Sequence, residues 1–344
     1  MAKKNKPVFN YQSELKLLKE QGPERLYFLC GPEDYLRECY LTELRRLCGV
    51  TEDDFGCRRI NGPVIDMNEL TEAVDALPFF SEHSFVELRD FDAARCRDAD
   101  CDKLKKLIAD IPDYCTLAFV FSSSNDPDGR TAAVKALKKA AHVIEFAEQE
   151  QSTLTRWVQK RFSALGKTVA PADAEYLIFL SGTRMNGLIP EIEKAASYAA
   201  GEQVTRQDID ATANRIPEAD VFAMTDLISR RRFDEAAALL GDLLSDKNNH
   251  PIQLNALIGQ QLRRLYAVKV GQAAGRSRGD IMELCGVRFD FIYEKLTQAA
   301  KPYSVGQLGR LVKLCAEYDY RMKSTGLDAE LLLRELFVRI AAGE

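Results

Sequence analysis

Short apolar runs alternate with amphipathic stretches through the first 150 residues of the chain. The apolar runs predict five buried strands, at residues 25–30, 54–60, 84–88, 116–121 and 143–146. The amphipathic stretches between these runs carry apolar residues at helical spacing and therefore predict helices. Strands that alternate with helices of this length indicate a largely parallel sheet that is covered on both faces.

The alternation ends near residue 150, and the remainder of the chain predicts helices only. Two stripes keep helical spacing and predict core faces: Leu254, Ile258, Leu262 and Leu265, and Leu308, Leu311, Cys315 and Met322. Pro217 marks a further boundary because proline commonly begins a helix. We therefore expect an α/β plus all-α fold with an α/β domain at 1–150, a small helical domain at 151–216 and a helical domain at 217–344.

Composition and charge are those of an ordinary globular chain. Hydrophobic residues make up 46% and charged residues 29% of the sequence, and the net charge of −5 gives no overall attraction to nucleic acid or anionic lipid. No apolar run approaches the roughly 20 residues of a membrane span. The basic N-terminus lacks the apolar stretch of a secretory signal, so we expect a cytoplasmic protein without a membrane partner.

Cysteine and histidine usage gives no metal-binding pattern. The nine cysteines contain no C-x-x-C pair, and the three histidines, His83, His142 and His250, are far apart in sequence. A structural zinc site normally uses closely spaced pairs of ligands. We therefore expect reduced thiols and no bound metal.

The first strand is followed by the turn Gly31-Pro32-Glu33-Asp34-Tyr35-Leu36, where a parallel α/β sheet would hold nucleotide phosphates. A phosphate loop at this place needs glycines, a lysine and a Ser or Thr. Glu33 and Asp34 would instead repel a polyphosphate. We expect this turn to bind no nucleotide.

Other catalytic motifs are also absent from the sequence. It contains neither H-E-x-x-H nor G-x-S-x-G. The acidic pairs Asp53-Asp54 and Asp90-x-Asp92 are weak metal candidates because surface loops commonly carry such pairs. We expect no active site in this chain.

The segment Leu77-Pro78-Phe79-Phe80-Ser81 lies between a predicted helix and the strand at 84–88. Neighbouring side chains point in different directions, so Phe79 and Phe80 do not both reach one core easily. Two interpretations follow. Both rings are covered by a loop, or they form an aromatic plug that anchors a partner.

Three segments resemble the bacterial DNA polymerase III delta-subunit family. Residues 26–36 look like its first strand and turn, with the family's G-x-E/D-x-[YF]-L pattern. Residues 77–82 resemble its L-P-F-F-S-E segment, and residues 186–194 are similar to its N-D-L-x-x-L segment in the second domain. This chain departs from the family at Gly187, where Asp is usual, and at His83, where Arg is common.

The resemblance implies a clamp-loader subunit of AAA+ architecture that does not hydrolyse ATP and needs no cofactor. Its helical domains would be a lid and an oligomerisation collar. It would bind and open the beta sliding clamp with a hydrophobic plug, which falls on Leu77, Phe79 and Phe80 here. The implied partners are the gamma/tau and delta-prime subunits and primed DNA, within a nucleotidyltransferase holoenzyme of which this is a non-catalytic subunit.

DNA contact is a further expectation. Residues 260–323 contain 12 Lys and Arg against 6 Asp and Glu, a local excess of positive charge in an acidic chain. If these charges share a face, they would contact phosphates without sequence preference. The candidates are Arg263, Arg264, Tyr318, Tyr320 and Lys323. Solvated helix faces would give the same composition.

Two other functions remain open at the level of the sequence. One is an active AAA+ ATPase with an unusual phosphate loop, which the acidic turn at Glu33-Asp34 disfavours. The other is a helical adaptor of unrelated role in which Phe79 and Phe80 are core residues.

Overall fold

The computed structural model describes residues 9–64, 66–78, 81–92, 95, 96, 98–125 and 127–343. The chain divides into two compact units. The first comprises residues 1–150 together with Arg184–Asn186, and the second comprises Gln151–Thr183 and Gly187–Glu344. The division at residue 150 lies where the sequence pattern changes, while the predicted boundary at 216/217 lies inside the second unit and stays a prediction.

The first unit contains a sheet of five strands with helices between them. In chain order its elements are α1 Tyr11–Gln21, β1 Leu26–Cys30, α2 Asp34–Leu47, β2 Cys57–Asn61, α3 Met67–Asp75, β3 Ser84–Arg89, α4 Asp98–Ala109, β4 Cys115–Val120, α5 Ala132–Ala140 and β5 His142–Glu145. The strand order is β2-β3-β4-β1-β5, and every pair is parallel.

The central strands are continuous apolar runs because helices cover both of their faces. All five residues of β1 and all six of β4 are buried. The edge strand β2 reads Cys-Arg-Arg-Ile-Asn and buries only Ile60. This pattern confirms the predicted α/β class for the first unit.

A buried ionic network connects α2 to the edge of the sheet. Glu87 on β3 is fully buried, and its carboxylate lies 3.2 Å from the Arg45 guanidinium and 3.6 Å from Arg59. Arg89 also pairs with Glu87 and binds Glu38 of α2 through two nitrogens, at 2.9 and 2.7 Å. A buried carboxylate surrounded by three guanidinium groups is stable only while those partners are present.

The second unit is helical apart from one short pair of strands. Its elements are α6 Gln151–Ala164, β6 Thr168–Val169, α7 Pro171–Ser181, α8 Met185–Tyr198, β7 Gln203–Val204, α9 Arg206–Thr212, α10 Pro217–Ser229, α11 Phe233–Ser245, α12 Pro251–Ala273, α13 Arg278–Cys285, α14 Asp290–Ala300, α15 Val305–Ser324 and α16 Ala329–Ala342. The first two residues of α8 are grouped with the first unit. The fold class predicted from the sequence is therefore confirmed over both units.

The long helices α12 and α15 form the centre of the C-terminal core. Both predicted stripes are buried there. The two helices approach closely at Gly259, where an added Cβ would lie 3.4 Å from Cys315 Cβ. The buried Asn255 side chain donates to the Cys315 carbonyl across the same contact, at 3.2 Å.

Two differences from the sequence prediction have local causes. Strand β2 begins at Cys57 rather than near residue 54, because Thr51–Asp54 forms a turn in which the Thr51 N–H donates to the Asp54 carboxylate. Strands β6 and β7 were not predicted, since two residues carry no periodicity. Within the described residues, no helix is both long and apolar enough to cross a membrane.

Replacement of Glu87 by alanine tests the ionic network. We expect Glu87→Ala to lower the free energy of unfolding by about 3–5 kcal/mol, because it removes the carboxylate shared by the buried Arg45 and the partly buried Arg59 and Arg89. The measurement is urea denaturation of the full chain, followed by far-UV circular dichroism. Glu38→Ala is the matched control and should cost less than about 1 kcal/mol, because the Glu38 side chain is 41% exposed. Equal effects of the two variants would contradict the assignment.

Candidate functional site

The loop between α3 and β3 carries the segment for which two interpretations were open. Its first end is fixed by the Tyr114 hydroxyl, which donates to the Asp75 carbonyl at 2.9 Å. Its second end is fixed by Ser81, whose hydroxyl donates to the His83 carbonyl at 2.6 Å. The start of β3 is tied to Tyr114 as well, since the Ser84 N–H donates to the Tyr114 carbonyl at 2.7 Å. Described residues on both sides of Phe79 and Phe80 are therefore held by hydrogen bonds.

Leu77 lies just after the anchored end of α3, and its side chain is 67% exposed. This exposure places Leu77 at the surface and outside the core, although single exposed apolar residues are common on protein surfaces. Phe79 and Phe80 lie outside the residues that the structure describes. The predicted role of these three residues in clamp binding stays a prediction.

The turn after β1 is closely packed against the end of β5. Gly31 has φ +109°, and an added Cβ would lie 2.7 Å from the Phe146 nitrogen and oxygen, so only glycine fits there. The Phe146 N–H donates to the Cys30 carbonyl, and the Glu33 N–H donates to the Phe146 carbonyl. Arg37, almost fully buried, donates to the Gly31 carbonyl at 3.1 Å. The turn is thus shaped by its own backbone and by Arg37.

Two carboxylates use the backbone donors at this turn. Glu33, the N-cap of α2, accepts from the Tyr35 N–H at 3.2 Å and from the Met185 N–H at 3.5 Å. Asp34 accepts from the Ser123 N–H, just beyond β4, at 3.0 Å and pairs with Arg37. A phosphate bound at a helix N-terminus depends on such N–H donors. Glu33 occupies one such donor, the Tyr35 N–H, while the Met185 and Ser123 N–H groups belong to other segments. Two carboxylates at this helix N-terminus favour the prediction that the turn binds no nucleotide.

The pKa values of the two carboxylates are shifted in opposite directions. Desolvation raises the pKa of Glu33, against hydrogen bonds from Met185 and Tyr35 that lower it. Burial also raises the pKa of Asp34, but the hydrogen bonds from Ser123 and Arg37 outweigh it, and the net pKa is lowered. At neutral pH the turn holds negative charge on Asp34, which opposes an anionic ligand.

The predicted DNA contacts are placed on α12 and α15. Tyr318 is fully buried, and its hydroxyl donates to the Glu335 carboxylate at 2.5 Å. Arg264 is partly buried and donates to the Cys285 carbonyl at 3.2 Å, and desolvation lowers its pKa. Both residues hold the helices of the second unit together in this structure.

The other three candidates reach solvent. Tyr320 is 70% exposed, Arg263 is exposed on α12, and Lys323 pairs with Asp319 at 2.8 Å on the last turn of α15. None of these contacts tests DNA binding, which stays a prediction for all five residues.

Three exposed residues near these sites were missed by the sequence analysis. Arg310 and Lys313 are exposed on the same face of α15 as Tyr320: Lys313 follows Arg310 by three residues and precedes Tyr320 by seven. That spacing was a usable signal. Phe55, before β2, is 96% exposed, and a single aromatic in an acidic loop gave no periodic signal.

Metal binding was also considered for two acidic pairs. Asp54 accepts from Thr51 in the turn before β2, and Asp90 accepts from the N–H and hydroxyl of Ser122, each at 2.8 Å. Over the part of the chain that the structure describes, no group of three or more His, Cys, Asp or Glu side chains is placed to hold a metal.

Two models from one known protein family match this chain. The model of the DNA polymerase III delta subunit matches residues 27–147, and the model of the C-terminal domain of the same subunit matches residues 218–340. The chain belongs to the DNA polymerase III delta-subunit family. The two matches lie one in each unit and together span more than half of the sequence.

Individual members of the delta-subunit family align over nearly the whole chain. The DNA polymerase III subunit delta of Bacillus subtilis strain 168 is 25% identical over 335 residues, which is 94% of each chain. The probable delta subunit of Aquifex aeolicus strain VF5 is 21% identical over 94% of this chain and 93% of its own. The solved Bacillus subtilis DNA clamp loader delta protein aligns over 97% of this chain and 100% of its own, with 22% identity and a TM-score of 0.50. That structure supports the shared fold.

The pH dependence of stability tests the environment of Glu33. Because its pKa is raised, Glu33 stabilises the fold most below its unfolded pKa of about 4.3, and that contribution is lost as pH rises through the folded pKa. Glu33→Gln keeps the shape without this titration. We expect the free energy of unfolding of the variant, relative to wild type, to rise between about pH 4 and about pH 7. Urea denaturation at each pH measures it.

Glu43→Gln provides a control of opposite sign. Hydrogen bonds from Arg46 and then Lys19 lower the pKa of Glu43 to about 2, so its contribution is present above the unfolded pKa and lost as pH falls. Because Glu43 is near the surface, solvent reduces the effect. A Glu33→Gln variant that loses stability toward neutral pH would contradict the raised pKa.

Proposed function

We propose that this delta-family chain binds the beta sliding clamp and opens it for loading onto primed DNA. Membership of the family supports the proposal, and the observation that carries it is the exposed Leu77 on a loop anchored at both ends. Leu77, Phe79 and Phe80 form the anchor. An aromatic and aliphatic anchor in a partner's pocket is the usual source of binding energy at an interface.

The anchored loop supports tight binding for an energetic reason. Residues that are already ordered before association lose little conformational entropy when they bind. Tyr114 and Ser81 hold the two ends of the loop through hydrogen bonds at 2.9 and 2.6 Å. Burial of each large apolar side chain then contributes about 1.5–3 kcal/mol.

In this proposal, the subunit opens the clamp ring with the free energy of binding and does not itself use ATP. The loop opens the clamp by binding its open form more tightly than its closed form, which shifts the population toward the open ring. The carboxylate-filled turn at Glu33 and Asp34 supports a subunit without a nucleotide of its own. Hydrolysis would belong to the gamma/tau subunits, with delta-prime completing a hetero-oligomer through the C-terminal helices.

Contact with primed DNA is assigned to the exposed face of α12 and α15. Arg263, Arg310 and Lys313 are exposed there, and Tyr320 provides a ring for stacking. Phosphate contacts of this kind are independent of sequence and sensitive to salt. Tyr318 and Arg264 support this face from within.

A pair of equally exposed leucines tests the clamp site. We expect Leu77→Ala to weaken binding of the purified chain to the sliding clamp of the same organism by about tenfold, because truncation removes an anchor from its pocket. Binding is measured by surface plasmon resonance without ATP. Leu331→Ala is the matched control, since Leu331 is 68% exposed on α16 and lies in the other unit.

The double variant Phe79→Ala/Phe80→Ala extends the test. We expect it to lose most of the remaining affinity while its circular dichroism spectrum is unchanged. Clamp binding by wild type that neither variant reduces would move the site elsewhere on the chain. A wild-type chain that does not bind a competent clamp would overturn the proposed function.

Variants of Tyr320 and Tyr318 allow DNA contact to be tested separately from folding. We expect Tyr320→Ala to weaken binding of a primer–template junction with a single-stranded template overhang several-fold, because stacking of an unpaired base is worth about 1–3 kcal/mol. Tyr318→Phe should leave DNA affinity unchanged and lower the free energy of unfolding by about 1–2 kcal/mol, because it removes the hydrogen bond to Glu335. Fluorescence anisotropy at two salt concentrations measures the first effect. If Tyr318→Phe weakened DNA binding and Tyr320→Ala did not, the proposed DNA-binding face of α12 and α15 would be refuted.

A further inference from the structure

The carboxylate of Asp34, the first residue of α2, is bound by three donors. Its Oδ1 accepts from the Ser123 N–H at 3.0 Å and pairs with the Arg37 guanidinium. Its Oδ2 accepts from the Ser123 hydroxyl. A backbone N–H, a hydroxyl and a guanidinium are donors with which proteins bind small oxyanions such as carboxylate and phosphate. The Asp34 carboxylate therefore lies in a set of donors that suits an oxyanion from solution as well.

Parallel pairing of β1 with β4 brings these donors together. The two strands are neighbours in the sheet, so the segments that follow them leave its carboxyl end side by side. Asp34 and Arg37 come after β1, and Ser123 comes three residues after the end of β4. In open parallel sheets, ligands bind outside the carboxyl ends of the strands, between such segments. In this chain, the Asp34 carboxylate bridges the two segments.

The buried Arg37 side chain makes an anion necessary at this place. Arg37 is 2% exposed, and besides Asp34 it donates to the Gly31 carbonyl at 3.1 Å. Within the described part of the chain, Arg37 forms an ion pair with Asp34 alone, and its Nε has no hydrogen-bond partner. A buried guanidinium that loses its counter-charge strongly destabilises a fold. Removal of the Asp34 carboxylate would therefore leave a buried cation that favours another anion.

The surroundings of Asp34 favour its ionised form. Asp34 is in the first turn of the 14-residue helix α2, where the positive end of the helix dipole stabilises negative charge. Although burial raises the pKa of Asp34, hydrogen bonds from Ser123 and Arg37 lower it further, and the net pKa is lowered. The site therefore holds a carboxylate anion at neutral pH.

The donors around Asp34 can be reached from solvent. The Asp34 side chain is 32% exposed, and Ser123 lies at the surface. The neighbouring Glu33 is buried and accepts from the Tyr35 and Met185 N–H groups, so it does not use the donors of Asp34. Truncation of Asp34 would therefore open its donors to a small anion from solution.

We propose that Ser123 and Arg37 form an oxyanion-binding site that Asp34 fills as an internal ligand, and that this site takes a small carboxylate from solution once Asp34 is removed. The inference stands apart from the proposed clamp function and does not depend on it. By supplying its own anion, the chain holds the start of α2 on the segment after β4. The same carboxylate excludes other anions from the site.

The test replaces the internal carboxylate by formate, which matches it in charge and size. In sodium chloride, Asp34→Ala should lower the thermal unfolding midpoint of the full chain by about 4–8 °C, measured by scanning calorimetry. In sodium formate of the same ionic strength, the variant should regain about half of this loss, and its midpoint should rise with formate concentration as for a bound ligand. Wild type should show no such rise, because Asp34 occupies the site.

Asp90→Ala is the matched control. The Asp90 carboxylate accepts from the N–H and hydroxyl of Ser122, each at 2.8 Å, and within the described residues it forms no ion pair with an arginine or lysine. Its removal therefore leaves no buried cation, and we expect a lower midpoint in both salts without a response to formate. If Asp34→Ala responds to formate no more than Asp90→Ala and wild type do, the internal-ligand proposal is refuted.

Asp34→Asn decides the question if Asp34→Ala does not fold. Asparagine keeps the size of the side chain, so formate has no room to enter, but it supplies no negative charge to Arg37. We expect its midpoint to fall by several degrees in both salts, because a buried guanidinium loses its counter-charge. A midpoint within about 1 °C of wild type would show that the site needs no anion and would overturn the proposal.

Discussion

Parallel pairing of the five strands is the constraint on which the first unit depends. Because β2 and β3 run in the same direction, the loops before them meet at one edge of the sheet, and the Gly56 backbone contacts Ser81. The turn that follows β1 lies at the other end of the strands, where their C-termini are. One edge therefore presents exposed apolar side chains, and the other holds the carboxylate-filled turn.

The carboxylate-filled turn supports the proposal that this chain holds no nucleotide of its own. Asp34 accepts from the Ser123 N–H and pairs with Arg37, while Glu33 accepts from Tyr35 and Met185. One of these donors, the Tyr35 N–H, belongs to the N-terminus of α2, and the others join the turn to the segments at Ser123 and Met185. The two carboxylates therefore hold the turn in place through contacts within the first unit.

Much of the fold followed from the hydrophobic pattern, because each strand and helix had to bury a face of known period. The placement of candidate site residues followed less well. Tyr318 and Tyr320 were treated together, yet residues two apart on a helix lie on nearly opposite sides. Tyr318 continues the buried stripe of Leu308, Leu311, Cys315 and Met322, and Tyr320 is exposed. That distinction was present in the spacing. Arg264 was different, since its bond to the Cys285 carbonyl joins positions 21 residues apart.

The sequence by itself determined the α/β and helical classes, the near-continuous burial of the central strands and the acidic character of the turn after β1. These properties depend on local composition and period, which are written along the chain. Tertiary structure alone decided that Gly56 lies beside Ser81, that Glu87 is surrounded by three arginines, and that Gly31 packs on the Phe146 backbone. Each of these depends on which strands become neighbours, and strand order is set by the free energy of the whole sheet rather than by any one segment.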